Sequence, residues 1–271
     1  MSKHWRYEVW IPAAHNLSVA QRKEIIELTQ AHGYRPVQGF RTLPSDEWQE
    51  VMLNSRDVTV TWLGELGGLL QLHKGPDDWP TEIEMSLPDA PGHYERRDSL
   101  LAFNELVLYV GDYNYRYPEE EEDRLQTASD VQALYCDLCT YLDAPYGVAW
   151  SNYDYEEVIR DLHTALYGQP EPAADDALGR RTFQALMDGE RFYAEVSSGR
   201  PPSALFWLQY FSNEYARSID LATCVELGAK IRNLPHGVLV KFFDYPWNVG
   251  WRPMLMINQQ WRSLHPDMLQ L

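Results

Sequence analysis

Two cysteines three residues apart, Cys136 and Cys139, have the spacing found in zinc sites and in redox-active thiol pairs. A structural zinc site needs four ligands, and only Cys224 and dispersed histidines remain to complete one. A redox pair functions at a helix N-terminus, where the helix dipole lowers the thiol pKa. Because this pair lies well inside a predicted helix, we interpret both cysteines as buried packing residues and expect neither a metal nor a cofactor.

A run of acidic residues from Glu119 to Asp123 has side chains that could bind a hard cation or act as the acid and base of a glycosidase. Consecutive residues at a helix start point in different directions, however, and no Asp-x-Asp-x-Asp-Gly calcium loop accompanies the run. We therefore interpret it as a solvated charge run, which can still speed association with a basic partner.

The chain carries no recognisable catalytic motif. Its eight histidines are dispersed, with neither His-Glu-x-x-His nor Gly-x-Ser-x-Gly near them, and the glycines from Gly64 to Gly68 lack the Lys-Ser/Thr ending of a phosphate loop. No catalytic residue is assigned on this basis. An enzyme whose nucleophile and base meet only in the fold stays an alternative.

Negative charge is concentrated in one segment of the chain. Residues 112–176 hold 16 acidic and 3 basic residues, which is −13 of the total net charge of −17. Such a field steers basic partners, whereas nucleic acids and anionic membranes attract clusters of lysine and arginine that this chain lacks. The sequence therefore predicts a basic protein partner, with no nucleic acid and no membrane.

The best interface candidates within this acidic segment are aromatic side chains beside acids, since large amphipathic rings anchor protein interfaces. In an extended segment Tyr153 and Tyr155 share one face while Asp154 and Glu156 share the other, so only one pair could face a partner unless the segment is a loop. The alternative is that these tyrosines pack on their own sheet. The partner-binding candidates are Tyr113, Tyr115, Trp150, Tyr153, Asp154, Tyr155 and Glu156.

Length and composition are those of a folded protein. The 271 residues are 45% hydrophobic and 13% aromatic, which is enough to build a core. The first residues contain no apolar signal region, and no run of about 18 apolar residues occurs. With only three cysteines, a reducing compartment is favoured, so we expect a cytoplasmic protein.

The N-terminal half, residues 1–117, is predicted to place one helix on an antiparallel sheet. Ser18 and Gln21 have the spacing of a capping box that begins the helix, and Gly33 is suited to end it. Alternating or β-branched runs predict strands around it, at 7–12, 37–40, 57–63, 69–72 and 81–87, followed by an apolar run at 100–109.

The C-terminal half, residues 118–271, begins at the acidic run and mixes helices with strands. Apolar residues at helical spacing predict a helix from Arg124 to Leu142, with the preceding acids favourably placed at its N-terminus. The further predictions are strands at 147–150, 204–211 and 237–243, and helices at 155–167, 180–192 and 214–219. The fold class is therefore α+β, with antiparallel sheets, packed helices and two halves of similar size.

The stretch from Ala204 to Asn248 is the most distinctive in the chain. An apolar strand ending in Tyr210-Phe-Ser-Asn-Glu-Tyr215 precedes a helix and a strand led by Gly237 that closes on Asp244-Tyr-Pro246. This pattern resembles immunity proteins of bacterial polymorphic toxin systems, which neutralise a cognate toxin in the cytosol. The resemblance implies a non-enzymatic binding role and carries over no binding residue, because such proteins use different surfaces for different toxins. The alternative is a plain buried strand.

Together these observations lead us to expect a cytosolic immunity protein that blocks a basic toxin with acids and aromatic side chains from the middle of the chain. The alternatives are a hydrolase-type enzyme with an acidic cleft, and a structural or regulatory partner protein. Toxin identity and oligomeric state stay open.

Overall fold

A computed structural model of the chain describes residues 6–13, 17–42, 48–52, 68–75, 81–87, 104–111, 121–151, 161–162, 164–165, 168, 195–196, 198–244 and 251–269. The chain divides into two compact units, Met1–Ala144 and Pro145–Leu271. Both units combine helices with antiparallel strand pairs, which confirms the α+β class.

The sheet described in the first unit is antiparallel, with strand order β3-β2-β4-β5-β6-β1. Its strands are β1 (Arg6–Ala13), β2 (Arg35–Thr42), β3 (Trp48–Met52), β4 (Gly68–Lys74), β5 (Thr81–Leu87) and β6 (Asn104–Gly111). Leu70 faces Met85 and Leu72 faces Ile83 across the β4–β5 pair, and all four are buried. The alternating pattern thus places one apolar face against the core. The sequence missed β3, and the strand expected at 57–63 lies outside the described residues.

Helices α1 (Val19–Ala31) and α2 (Glu121–Tyr141) belong to the first unit. The predicted capping box is confirmed, because Ser18 Oγ accepts from the Gln21 amide while the Gln21 side chain accepts from the Ser18 amide. Gly33 follows the helix with φ +86°, a conformation that side-chain-bearing residues rarely adopt. Helix α2 starts within the acidic run, so its first residues are acids at the positive end of the dipole.

The first unit extends beyond the expected boundary between residues 117 and 118. Helix α2 packs against α1 and β1, and this packing keeps residues 121–141 with the N-terminal strands. The change of composition at Pro118 therefore marks the approach to a helix of the first unit, whereas the division between the units falls at Ala144.

The second unit contains four described strands in the order β7-β8-β10-β9. Strand β8 is central and buried, and Gly237 begins β10 beside it. A Cβ at Gly237 would lie 2.4 Å from the Phe211 carbonyl oxygen and 2.6 Å from the Tyr210 ring, so this strand contact requires glycine. The elements are β7 (Tyr146–Ser151), β8 (Leu208–Ser212), α3 (Leu221–Glu226), β9 (Lys230–Leu234), β10 (Gly237–Lys241) and α4 (Trp251–Leu264), with 3₁₀ turns at Tyr215–Ser218 and Pro266–Leu269.

Several boundaries in this unit differ from the sequence predictions. The strand expected at 204–211 begins only at Leu208, the helix expected at 214–219 is a 3₁₀ turn, and the strand expected at 237–243 ends at Lys241. Elements α3, β9 and α4 were not predicted. Of the expected helix 155–167, the described residues 161–162 and 164–165 are helical, and the helix expected at 180–192 lies outside the described residues. No described helix is both long and apolar enough to cross a bilayer.

Candidate partner-binding surface

Helices α1 and α2 pack together in the first unit, and the side chains of Tyr141 and His32 make contacts between them. The Tyr141 hydroxyl donates to the Glu24 carboxylate, and His32 Nε2 lies 2.8 Å from Asp137 Oδ2. Glu24 in α1 contacts Tyr141, the last residue of α2, whereas His32, just after α1, contacts Asp137 one turn earlier in α2. The two helices therefore run antiparallel. These contacts hold the Glu24 and Asp137 carboxylates where the two helices meet.

The exposed charged residues of the two helices are acidic wherever side-chain exposure is described. Where side-chain exposure is described, the solvent-facing charged residues of α1, α2 and the turn after α2 are Glu24, Glu27, Asp137 and Asp143. No lysine or arginine is among the exposed residues of these same stretches, 18–32 and 125–143. The other exposed residues of these stretches are uncharged: Ser18, Val19, Ala20, Ala31, Leu125, Gln126, Ser129 and Ala133. We call Glu24, Glu27, Asp137 and Asp143 the α1–α2 acidic surface.

The partner of Glu24 leaves its charge in place. Desolvation first, and the adjacent Glu24 carboxylate second, raise the pKa of the Tyr141 phenol, so the hydroxyl stays a neutral donor. A neutral donor holds the carboxylate in position without cancelling its charge. Tyr141 belongs to the acidic segment 112–176 and combines a ring with an acid, the combination that the sequence predicts for an interface, although Tyr141 is not among the predicted partner-binding residues.

Asp137 is a second exposed acid held by a side chain with no permanent charge. Its side chain is 58% exposed, whereas that of His32 is 19% exposed. The imidazole donates from Nε2 in one neutral tautomer as well as in its protonated form, so the contact persists in both states. Neither histidine motifs nor local spacing in the sequence indicated this pair, because its members are far apart in the chain.

One acid of α2 is neutralised. Lys74 Nζ lies 2.7 Å from Asp130 Oδ2 and 5.3 Å from the centroid of the Tyr34 ring, and Gln126 also donates to Asp130. Both charged side chains of this pair are partly buried. Asp130 is therefore part of the packing between α2 and β4 and does not contribute to the α1–α2 acidic surface.

Most of the partner-binding candidates predicted from the sequence lie outside the described residues. Of that set, only Trp150 lies among the described residues, where its backbone belongs to β7, within the predicted strand. The other candidates lie outside the described residues: Tyr113, Tyr115, Tyr153, Asp154, Tyr155 and Glu156.

The cysteines are packing residues, as expected from the sequence. Cys136, Cys139 and Cys224 are all buried free thiols, and burial raises the pKa of Cys139 and, to about 12, that of Cys224. Raised pKa values oppose formation of the thiolate that nucleophiles and metal ligands need. Within the described residues no three histidine, cysteine or acidic side chains converge on a common point.

A buried polar cluster in the second unit supports the fold rather than a surface. The segment 202–205 is buried but not part of a strand, so its backbone groups need side-chain partners. Trp261 Nε1 donates to the Pro202 carbonyl at 2.8 Å, Glu195 Oε2 accepts from the Ser203 amide at 3.0 Å, and Asn258 binds both backbone groups of Leu205. These bonds explain why the strand expected from Ala204 starts only at Leu208.

Helix α4 is also tied to the helical residue Asp161. The Arg262 guanidinium and the Gln259 amide both donate to the Asp161 carboxylate. Burial lowers the pKa of Arg262 to about 10, which still leaves it protonated at neutral pH. The pair therefore remains a partly buried, charged contact within the second unit.

Comparison with known proteins adds no relative. No protein-family model matches the chain, and no curated protein shows significant similarity to it.

Proposed function

We propose that this chain is a cytosolic immunity protein that neutralises a basic protein toxin by binding it through an acidic surface. The observation that carries the proposal is the α1–α2 acidic surface, on which four exposed acids have no exposed lysine or arginine among them. Glu24 and Asp137 are held by Tyr141 and His32, so their positions are fixed while no permanent cation cancels their charge. Exposed acids that no lysine or arginine pairs with favour fast association with a basic protein.

The pattern between Ala204 and Asn248 that resembles immunity proteins supports the same role. Under this proposal the exposed acids steer association, and the aromatic candidates of the segment 112–176 supply affinity. A toxin that acts on nucleic acid fits this surface, because its own substrate groove is basic.

The direct test uses the product of the reading frame adjacent to the gene of this chain. Expression of that product alone should arrest growth, and co-expression of this chain should restore it and yield a complex that survives size-exclusion chromatography. If growth is restored without any complex, an enzymatic mode of protection replaces the proposal. If the chain neither binds nor protects, the immunity role is wrong.

A matched pair of variants tests the surface itself. Glu27→Gln combined with Asp143→Asn removes two exposed acids from the α1–α2 acidic surface, while Glu226→Gln with Asp267→Asn removes two exposed acids from the second unit. Both double variants change the net charge equally. The first should slow association by about 3–10-fold at low ionic strength and the second by less than about 2-fold. Equal slowing would show that total charge rather than this surface steers the partner.

A further inference from the structure

Strand β9 forms the outer end of the described sheet of the second unit. It pairs with β10 from Lys230↔Lys241 to Leu234↔Gly237, and no described strand of that unit pairs with its other side. Lys230, Arg232 and Asn233 are exposed, and the remaining two residues are partly exposed. An uncovered strand edge presents backbone donors and acceptors to any extended chain that can lie beside it.

This edge is basic although the chain is strongly acidic. Lys230 and Arg232 are two positions apart, so their side chains leave the same face of β9, and Lys241 lies directly across from Lys230 on that face. Residues 198–269 carry seven basic and five acidic residues, against a net charge of −17 for the whole chain. The basic face is therefore a local exception to the charge of the molecule.

The same face already holds one carboxylate. Asp244 Oδ1 lies 3.2 Å from both Lys230 Nζ and Lys241 Nζ. Hydrogen bonds from Lys241 and then Lys230 lower the pKa of the Asp244 carboxyl, so the geometry stabilises an anion there. Arg232 is exposed, and in the described part of the chain no carboxylate lies within ion-pair distance of it.

We propose that β9 is a docking edge for an extended acidic segment of a partner protein, which adds a strand and places carboxylates at alternate positions against Lys230 and Arg232. Basic residues on an edge usually discourage pairing with other edges. Here Lys230 and Arg232 favour partners of one charge. A second copy of β9 would place like charges opposite each other, whereas an acidic strand would place carboxylates opposite Lys230 and Arg232. The β9 edge consists of different residues from the α1–α2 acidic surface, and it requires an acidic partner segment rather than a basic one.

The test uses the full chain and a synthetic probe, the fluorescein-labelled peptide Thr-Glu-Val-Glu-Val-Glu-Thr. Binding is followed by fluorescence anisotropy, and the site is located by hydrogen exchange of the amides in residues 230–234. A peptide with lysine in place of each glutamate controls for charge. The acidic peptide with every second backbone amide N-methylated controls for strand addition, because it lacks the N–H donors that pairing requires. We expect the acidic peptide alone to bind and to protect the β9 amides.

Two charge-reversal variants complete the test. Arg232→Glu should weaken binding of the acidic peptide by about 10-fold or more, whereas Arg217→Glu, which reverses an exposed charge on the 3₁₀ turn, should weaken it by less than about 2-fold. Should Arg232→Glu fail to fold, the exchange protection in the unaltered chain still decides the question. Equal loss in both variants, binding of the N-methylated peptide, or saturating peptide without protection of residues 230–234 would overturn the proposal. None of these outcomes bears on binding of a basic toxin.

Discussion

The side-chain amide of Asn258 occupies the place that a neighbouring strand would take beside Leu205. Its Oδ1 accepts from the Leu205 amide at 2.7 Å, and its Nδ2 donates to the Leu205 carbonyl at 2.8 Å and also to the Met254 carbonyl. Asn258 is fully buried, so the three bonds have no competition from water. One side chain thus joins the C-terminal helix to the segment that leads into the central strand β8.

We expect Asn258→Ala to lower the free energy of unfolding by about 2–4 kcal/mol, because it leaves two backbone groups of Leu205 buried without partners. Gln260→Ala, on the exposed side of the same helix, should change it by less than about 0.5 kcal/mol. Urea denaturation followed by tryptophan fluorescence measures both values. A similar small effect for the two variants would mean that water replaces the amide.

Gly237→Ala should destabilise the second unit severely, by about 3 kcal/mol or more, because the new Cβ meets the Phe211 backbone 2.4 Å away. Gly75→Ala is the matched control, since Gly75 has φ +95° but no atom within 4 Å of an added Cβ. It should cost only the conformational strain of about 1–2 kcal/mol. Thermal unfolding compares them, and equal losses would refute the steric explanation.

The three thiols should resist modification in the native protein. Cys139 and Cys224 are fully buried and Cys136 is nearly so, which limits access to all three. Burial also raises the pKa of Cys139 and Cys224, which opposes thiolate formation at these two. We expect no reaction with a disulfide reagent at pH 8 under native conditions and three equivalents after denaturation.

The double variant Cys136→Ala with Cys139→Ala should lower the free energy of unfolding by about 1–3 kcal/mol. Stoichiometric zinc found by elemental analysis would contradict a packing role.

Local chemistry in the sequence predicts some elements well. The capping box of Ser18 and Gln21 and the left-handed conformation of Gly33 depend on neighbours in the chain, and both ends of α1 follow from them. The strand Thr81–Leu87 likewise follows from its alternating pattern. In these places the residues that form the structure are also the residues that signal it.

Long-range contacts explain what the sequence did not reveal. The segment 204–207 has the apolar character of a strand, but its partners include Asn258, which is some fifty residues away. The α1–α2 acidic surface likewise depends on Glu24 meeting Tyr141 and His32 meeting Asp137. No spacing rule within a window of the sequence can bring such residues together.

Association with the basic partner should slow as salt is raised, because exposed charges separated by more than a Debye length of about 8–10 Å are screened. The equilibrium stability of the chain should change little over the same range, since its core contacts are apolar. Stopped-flow rates across a salt series, with thermal unfolding in parallel, separate the two effects. An association rate that ignores salt would count against electrostatic steering by the acidic segment.

Acid should weaken the second unit through Asp220, which caps α3 by accepting from the Thr223 amide at 3.0 Å and the Thr223 hydroxyl at 2.8 Å. These bonds lower the pKa of the Asp220 carboxyl. Because the folded-state pKa is the lower one, the stabilisation is complete above the unfolded value of about 4 and is lost as pH falls through the folded value. Asp220→Asn keeps a capping oxygen without the charge, so its unfolding free energy should fall less steeply below about pH 4 than that of the unaltered chain. Parallel curves in a pH series of urea denaturations would show that the carboxylate charge contributes nothing.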